Sequence, residues 1–427
     1  MNFRQYGHLL RVPALRKLLL VAMLARIPHS ASAVVLTLHV VNTLGLGYAA
    51  AGGVGAAVTV GIAFGGPWRG RLVDIKGLRR AMVPSIIGEV TVWTVAPFLN
   101  YQLLLIAAII GGALAVPIFS VVRQALGVMV STKHRRTAYA LDSIGAELTF
   151  MIGPAAGVAL ATVNTVAAMI IIGAASSLAG LLLFWFNPPT RSGQPGSYQG
   201  DVEDALESFE ELAPNEAASS TSSTGTSPLS RLSGRLRGQL SWITIAVLAV
   251  LAASVGVGMT LTGTDVGIVA VLREHDQQSQ IGIVFIFWCA ASIVGGLIYG
   301  SLHRKVNPLW LLAVMALLTV PMGFATETWA LALLSIPAGL LCAPVLSASS
   351  EWVANLVPEA RRGEAMGWYG SAITLGSAIG APLAGAAIDA VGPWGGFAAV
   401  GVISTLLAVV GLSAQWLRRR RGSVEAY

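Results

Sequence analysis

Few residues in this chain are placed to do chemistry, and those few are charged groups set inside apolar runs. Arg26, Glu89, Asp142, Glu147 and Asp265 each interrupt stretches dominated by Ala, Gly, Val, Leu and Ile. An ionised group inside a lipid-length apolar run costs at least about 2.5–3.5 kcal/mol, so it is kept for a partner or a task. A carboxyl beside a guanidinium can hold and release a proton as its surroundings change. Asp142 is expected to pair with Arg123 near one end of its run, as a gate or as a structural clamp. Asp265 closes the stretch Thr260-Leu261-Thr262-Gly263-Thr264-Asp265, which suits a cation or polar substrate, or lines a solvated vestibule. His29 and His39 could titrate, although satisfied interior histidines are commoner. No G-x-x-x-x-G-K-S/T loop occurs, so ATP hydrolysis is not the energy source. Cys289 and Cys342 lie in separate apolar runs and the six histidines are scattered, so no disulfide framework, metal or cofactor is expected.

The elements that must position these groups are membrane spans. The chain is 55% hydrophobic and 11% charged, with a mean hydropathy of +0.72, which excludes a soluble protein of this length. A hydrocarbon core about 30 Å thick takes about twenty apolar residues per helix. Twelve such runs are present, at 18–40, 48–67, 82–99, 102–123, 139–161, 164–186, 242–271, 279–301, 308–325, 329–353, 363–390 and 394–417. Of the 27 Lys and Arg, only Arg273 falls on the opposite side from the rest and only Arg26 lies inside a span. That asymmetry puts both chain ends on the cytoplasmic side of a bacterial inner membrane. It also accounts for the net charge of +7 without a nucleic-acid partner. Arg418 to Arg421 read as an anchor on anionic head groups. Ser30-Ala31-Ser32-Ala33 resembles a signal-peptidase site, but an uncleaved first span is expected. Trp185, Trp242, Trp310, Trp329, Trp352, Trp394 and Trp416 fall at span ends as an interfacial belt. Trp93, Trp288 and Trp368 are further inside and are the candidates for substrate contact.

Residues 187–240 divide the chain into an N-terminal six-helix unit, 1–186, and a C-terminal one, 241–427. The divider is rich in Ser, Thr, Gly and Pro and reads as a disordered linker; its acidic stretch from Asp201 to Leu212 could form a short amphipathic helix. The units echo each other. Gly66 and Gly70 recur as Gly296 and Gly300, an offset of 230; Pro117 recurs as Pro344, an offset of 227. Arg135-Arg136 recur as Arg361-Arg362, an offset of 226, and Gly153-Pro154 with Gly157 as Gly380, Pro382 and Gly385 at 227–228. Four correspondences in order indicate a duplicated unit, with a site near the midplane reached by rocking one half against the other.

The connection after the second span reads Gly70-Arg71-Leu72-Val73-Asp74-Ile75-Lys76-Gly77-Leu78-Arg79-Arg80. It resembles the G-x-L-x-D-x-x-G-x-R/K-R/K signature of the major facilitator superfamily. The resemblance covers the whole chain except the linker and implies an all-α membrane fold of twelve transmembrane helices in two pseudo-symmetric six-helix bundles. It also implies that Asp74 caps the start of the eleventh span near Gly363-Glu364, a latch across the halves. Gly70, Gly77, Arg79, Arg80 and Glu364 belong to that latch, although the arginines can equally do no more than fix topology. The second copy, Gly296 to Lys305, has Ser301 where the first has Arg71, and it lacks the acid. In the fifth span Gly153-Pro154-Ala155-Ala156-Gly157 resembles the G-P-x-x-G core of proton antiporters in the drug-efflux branch. That branch carries an arginine midway along its fourth span, where this chain reads Ala107-Ala108-Ile109-Ile110-Gly111-Gly112.

In this fold the first span neighbours the fifth, so Arg26–Glu147 is the expected pair. Glu147 is the leading proton carrier and Asp142 the second; a static ion pair is the other reading. Glu89, at similar depth about 12 Å inside, either shares the coupling or satisfies a neighbouring helix. The expected function is proton-coupled export of small amphipathic compounds, or else uptake of a small metabolite such as a sugar or organic acid. The expected partners are a small-molecule substrate, protons and the lipid bilayer, and the chain is expected to work as a monomer. An intramembrane enzyme is disfavoured because the outward connections are short and carry no polar cluster. A transporter-like sensor without flux would have the linker as its output.

Overall fold

Long apolar runs become helices here because a helix alone satisfies its own backbone groups in lipid. The computed structural model describes residues 4–198, 242–277, 280–302 and 306–424. A short helix α1 (Arg4–Arg11) precedes α2 (Pro13–Leu38), which ends in a π-helical turn, His39–Thr43. Then follow α3 (Tyr48–Lys76), α4 (Leu78–Val95), α5 (Tyr101–Leu114), α6 (Ile118–Met129), α7 (Arg135–Val163) and α8 (Thr165–Phe186). The second half comprises α9 (Ile245–Glu274), α10 (Ile281–Ser301), α11 (Pro308–Thr319), α12 (Thr328–Leu356), α13 (Arg362–Val391) and α14 (Pro393–Val424). Among the described residues eleven helical segments are long and apolar enough to cross a membrane, and a shorter twelfth, Pro308–Phe324, stands in the place of the ninth span. The fold is the expected one of two six-helix bundles.

Local sequence explains where the rods start and stop. The side chains of Asn100, Asn164, Thr244 and Asn307 accept hydrogen bonds from backbone N–H groups at the starts of α5, α8, α9 and α11. Asn187, at φ 44°, ends α8 just before Pro188-Pro189. Two expectations are corrected. The signature around Asp74 is not a loop: α3 runs to Lys76 and α4 starts at Leu78, with Gly77 alone between them at φ 79°. The fourth span is not continuous. Pro117 cannot donate to the helical ladder, and the rod breaks over Ala115–Pro117 into α5 and α6, whereas Pro344 sits inside unbroken α12.

In the first half α2 packs on α7 and α8, α3 on α5, and α4 on α8. In the second, α9 packs on α13 and α14, α10 on α12, and α11 on α12 and α14. The halves meet along α3 with α13 and along α7 with α10 and α12. The contact between α3 and α13 needs glycine on both sides: a Cβ on Gly70 would overlap the backbone of Gly363, and one on Gly367 would overlap Gly66. Gly153 and Gly157 do comparable work inside the first half, lying against Ser30 and Ala31 of α2, and α7 passes through Pro154 without a break. The acidic stretch Asp201–Leu212 and the rest of 199–240 lie outside the described residues.

Candidate functional site

The charged groups fall into three sets. The first is a buried triad in the first half. Arg26 Nη2 lies 2.7 Å from Asp142 Oδ1, and Arg123 Nε donates to Asp142 Oδ2 at 3.2 Å. Arg26 also donates to the Asp142 carbonyl at 3.2 Å, and its guanidinium lies 4.4 Å from the centre of the Phe119 ring. All three charged residues are at most 4% exposed. The expected Arg26–Glu147 pair is therefore wrong, while Asp142 does meet Arg123. Helix geometry gives the reason: five residues rotate a side chain by about 140°. Asp142 faces α2 and α6, and Glu147 faces the other half. Helices also begin earlier than the apolar runs suggested. Arg26 is 13 residues into its helix and Glu147 is 12, about 18–20 Å along each rod from its start.

The second set lies on the seam between the halves. Glu147 Oε1 accepts from Ser292 Oγ of α10 and from Cys342 Sγ of α12, both at 3.0 Å, and Cys289 Sγ approaches Oε2 at 4.0 Å. Ser292 in turn accepts from the Ala343 N–H at 3.1 Å. No ion pair to Glu147 is present among the described residues. Asp265 of α9 is exposed, yet its carboxyl lies within electrostatic range of Glu147 and Cys289.

The third set lines a cavity of about 60 Å³ inside the first half. Glu89 Oε1 accepts the Val116 N–H at 3.2 Å, a donor freed by the helix break before Pro117, and Oε2 accepts Trp93 Nε1 at 2.7 Å. Glu89 thus satisfies a neighbouring helix. With His29, Ser32, Trp93 and Ser176 it contributes the polar part of walls that are otherwise Leu, Val, Ile, Ala and Gly. Trp288 is buried in the second half's core, and Trp368 is 43% exposed on α13. Trp242, expected in the interfacial belt, is 5% exposed and packs in the core near the end of α8.

At the face bearing the basic residues the halves are joined directly. Asp74 Oδ1 accepts the Gly363 N–H at 3.0 Å and Oδ2 the Glu364 N–H at 2.8 Å, at the first turn of α13. A carboxylate on such an end meets unpaired amides and the positive pole of the helix. Gln124 Nε2 adds a third donor at 3.0 Å and also reaches the Thr190 carbonyl. Glu364 itself pairs with Arg361 at 2.9 Å. Arg79 and Arg80 are exposed, Arg79 donating to the Phe184 carbonyl at 3.2 Å. Sequence reasoning missed a second clasp. Arg136 of α7 pairs with Glu351 of α12 at 3.2 Å, both at least nine-tenths buried, and donates to the Leu302 carbonyl at 2.9 Å. In the sequence Arg136 reads as a topology charge and as the repeat partner of Arg362; the signal for its pairing is an acid, Glu351, at the basic end of an apolar span.

The comparisons with known proteins agree with this architecture. The sequence profile of the Major Facilitator Superfamily matches residues 18–326 and again 248–426. The structure is similar to the crystal structure of the human organic anion transporter MFSD10 (TETRAN), with a TM-score of 0.61 and 19% identity, covering 96% of this chain and 100% of that one. It is also similar to the proton:xylose symporter XylE bound to 6-bromo-6-deoxy-D-glucose, with a TM-score of 0.66 and 15% identity, covering 92% and 94% of the two chains. Such low identities make the likeness one of fold. Comparison with curated proteins gave no match. Because the profile spans nearly the whole chain and the helices form its two bundles, the protein belongs to the Major Facilitator Superfamily and is a multi-pass membrane transporter.

Proposed function

We propose that this transporter exports small amphipathic compounds in exchange for protons, by alternating access, from the cytoplasm across a bacterial inner membrane and as a monomer. The observation that carries the reading is Glu147: a deep carboxyl with no cationic partner among the described residues, held by a hydroxyl and two thiols on the surface where the halves must part. The interior charges support one exchangeable proton. Arg69, beyond the apolar run in the sequence, is buried within the longer α3 and donates to the Gly65 carbonyl at 3.2 Å. The three guanidiniums of Arg26, Arg69 and Arg123 thus stand within the spans against four carboxyls, Glu89, Asp142, Glu147 and Asp265, an excess of one negative charge. Uncompensated charge in lipid is expensive, and one proton shared between Glu147 and Asp265 restores neutrality. Asp142, tied to two arginines, is the poorer carrier.

Asp74 on the start of α13 acts as the latch that keeps the basic, cytoplasmic face closed while the path opens outward. The mostly apolar cavity beside Trp93 and Glu89 suits an amphipathic solute better than a sugar, which would need more hydrogen-bonding walls. A transport screen in proteoliposomes under an imposed pH gradient tests the reading. Gradient-driven flux is expected in the wild type, and Glu147→Gln is expected to abolish its dependence on the gradient. Flux that still follows the gradient in that variant removes Glu147 as the carrier, and the sign of the coupled proton movement separates export from uptake.

A further inference from the structure

The two ends of the internal repeat are closed by different means. In the first half, Gly66 and Gly70 of α3 receive α13, and Asp74 completes the joint. Their counterparts Gly296 and Gly300 of α10 receive α7, through Ile144 and Ala140. At the same offset of 230 the position matching Asp74 is Arg304, so the repeat supplies no matching carboxylate to cap the start of α7. The Arg136–Glu351 clasp holds part of this second joint through side chains, and a further contact completes it.

Helix α1 fills the gap. Tyr6 Oη lies 3.0 Å from the Gly296 carbonyl and 2.8 Å from the Leu297 carbonyl, near the end of α10. The hydroxyl fits only because residue 300 is glycine, since a Cβ there would collide with it. Tyr6 and Leu9 are the buried face of α1, at 7% and 3% exposure, while Gly7, His8, Leu10 and Arg11 point outward. Burial pushes the Tyr6 hydroxyl above its ordinary range, so it remains a donor. The start of α7 contributes as well. The Thr137 hydroxyl reaches the Gly300 carbonyl at 2.7 Å and Gln5 Oε1 of α1 at 3.2 Å. Subtracting the repeat offset, 363 − 226 = 137, puts Thr137 at the position of Gly363, the first amide in the Asp74 joint.

We infer that α1 is a strap that replaces the missing carboxylate latch of the second repeat, with Tyr6 and Thr137 holding the end of α10 to the first half whenever the basic face is closed. The strap crosses from one half to the other, so it must let go before that face can open. Its release belongs to every turn of the transport cycle, whatever the solute and whatever ion drives it. Tyr6 is thus a positioning residue for the conformational step and touches no substrate.

The test reads conformation directly and needs no known substrate. Spin labels at Arg80→Cys and Ala360→Cys, one exposed site on each half of the basic face, give a closed and an open distance by electron–electron resonance in nanodiscs. Loss of one hydroxyl hydrogen bond is expected to raise the open-to-closed ratio roughly two- to tenfold in Tyr6→Phe, and similarly in Thr137→Val. Thermal unfolding of the same samples should change little, since the phenyl ring still fills its pocket. Distance distributions identical to wild type in both variants overturn the strap. The readout is separate from proton coupling: Glu147→Gln can fail its own test while Tyr6→Phe still opens the basic face.

Discussion

At the scale of single residues, one carboxylate carries more than its share. Asp142 pairs with two buried guanidiniums at once, and neither Arg26 nor Arg123 has another acidic partner among the described residues. Removing one side of a buried ion pair costs about 3–5 kcal/mol because the other charge stays behind without compensation. Asp142→Asn is therefore expected to lower the unfolding temperature in detergent sharply, and Arg26→Met in the same chain to recover part of the loss. Asp74→Asn is a milder change: an amide supplies one acceptor but turns a donor toward the amides of Gly363 and Glu364 or toward Gln124. The open population of the basic face should rise in the resonance measurement, with a cost to the closed state of about 1.5–3 kcal/mol. The charged residues themselves were legible from sequence, because an ion in an apolar run stands out. Their pairing was not, since it turns on which way each one faces around its helix, and Asp142 and Glu147 differ by more than a third of a turn.

At the scale of elements, the all-helical membrane fold and its run of apolar spans were readable from hydropathy. Helix ends were not. The Asp74 signature contains five charges, and its polarity suggests a loop, yet it folds as the ends of two rods with one glycine between them. Charge marks where lipid stops, and a helix is free to continue past that point. Gly77 takes φ 79°, a conformation costly to any residue with a Cβ, so Gly77→Ala should destabilise by about 1–2 kcal/mol. Gly70→Ala acts differently. Its Cβ meets the Gly363 backbone, which cannot swing aside as a side chain would. Separation of α3 from α13 is expected, seen as a shift to the open distance and at least a tenfold loss of transport. A wild-type distance distribution in Gly70→Ala would contradict the close packing described here.

For the whole molecule, the asymmetry of Lys and Arg predicts that α1 and the end of α14 lie on one face of the bilayer. Impermeant labelling of cysteines placed at Gly7 and Ser423 should modify both from the same side of sealed vesicles, and modification from opposite sides would reverse the topology. Sequence alone could say that two halves rock, but not which face is shut in the structure. That follows from bonds across the seam: Tyr6 to α10, Arg136 to Glu351, Ser143 to Ser347 and Asp74 to α13 all lie at or toward the basic face. None of these pairs is close in sequence, and each depends on the register of two separately folded rods.

The joints between neighbouring rods bear on how such a machine can move. Gly77 is all that separates α3 from α4 at one face, and Asn164 all that separates α7 from α8 at the other. Elbows this short leave no slack, so a push on one rod is delivered to the next as on a rigid frame, and the bundle has to pivot as a block. Splicing a few extra glycines into either elbow would let adjacent rods slip, and motion begun at one membrane surface would fade before it reached the other.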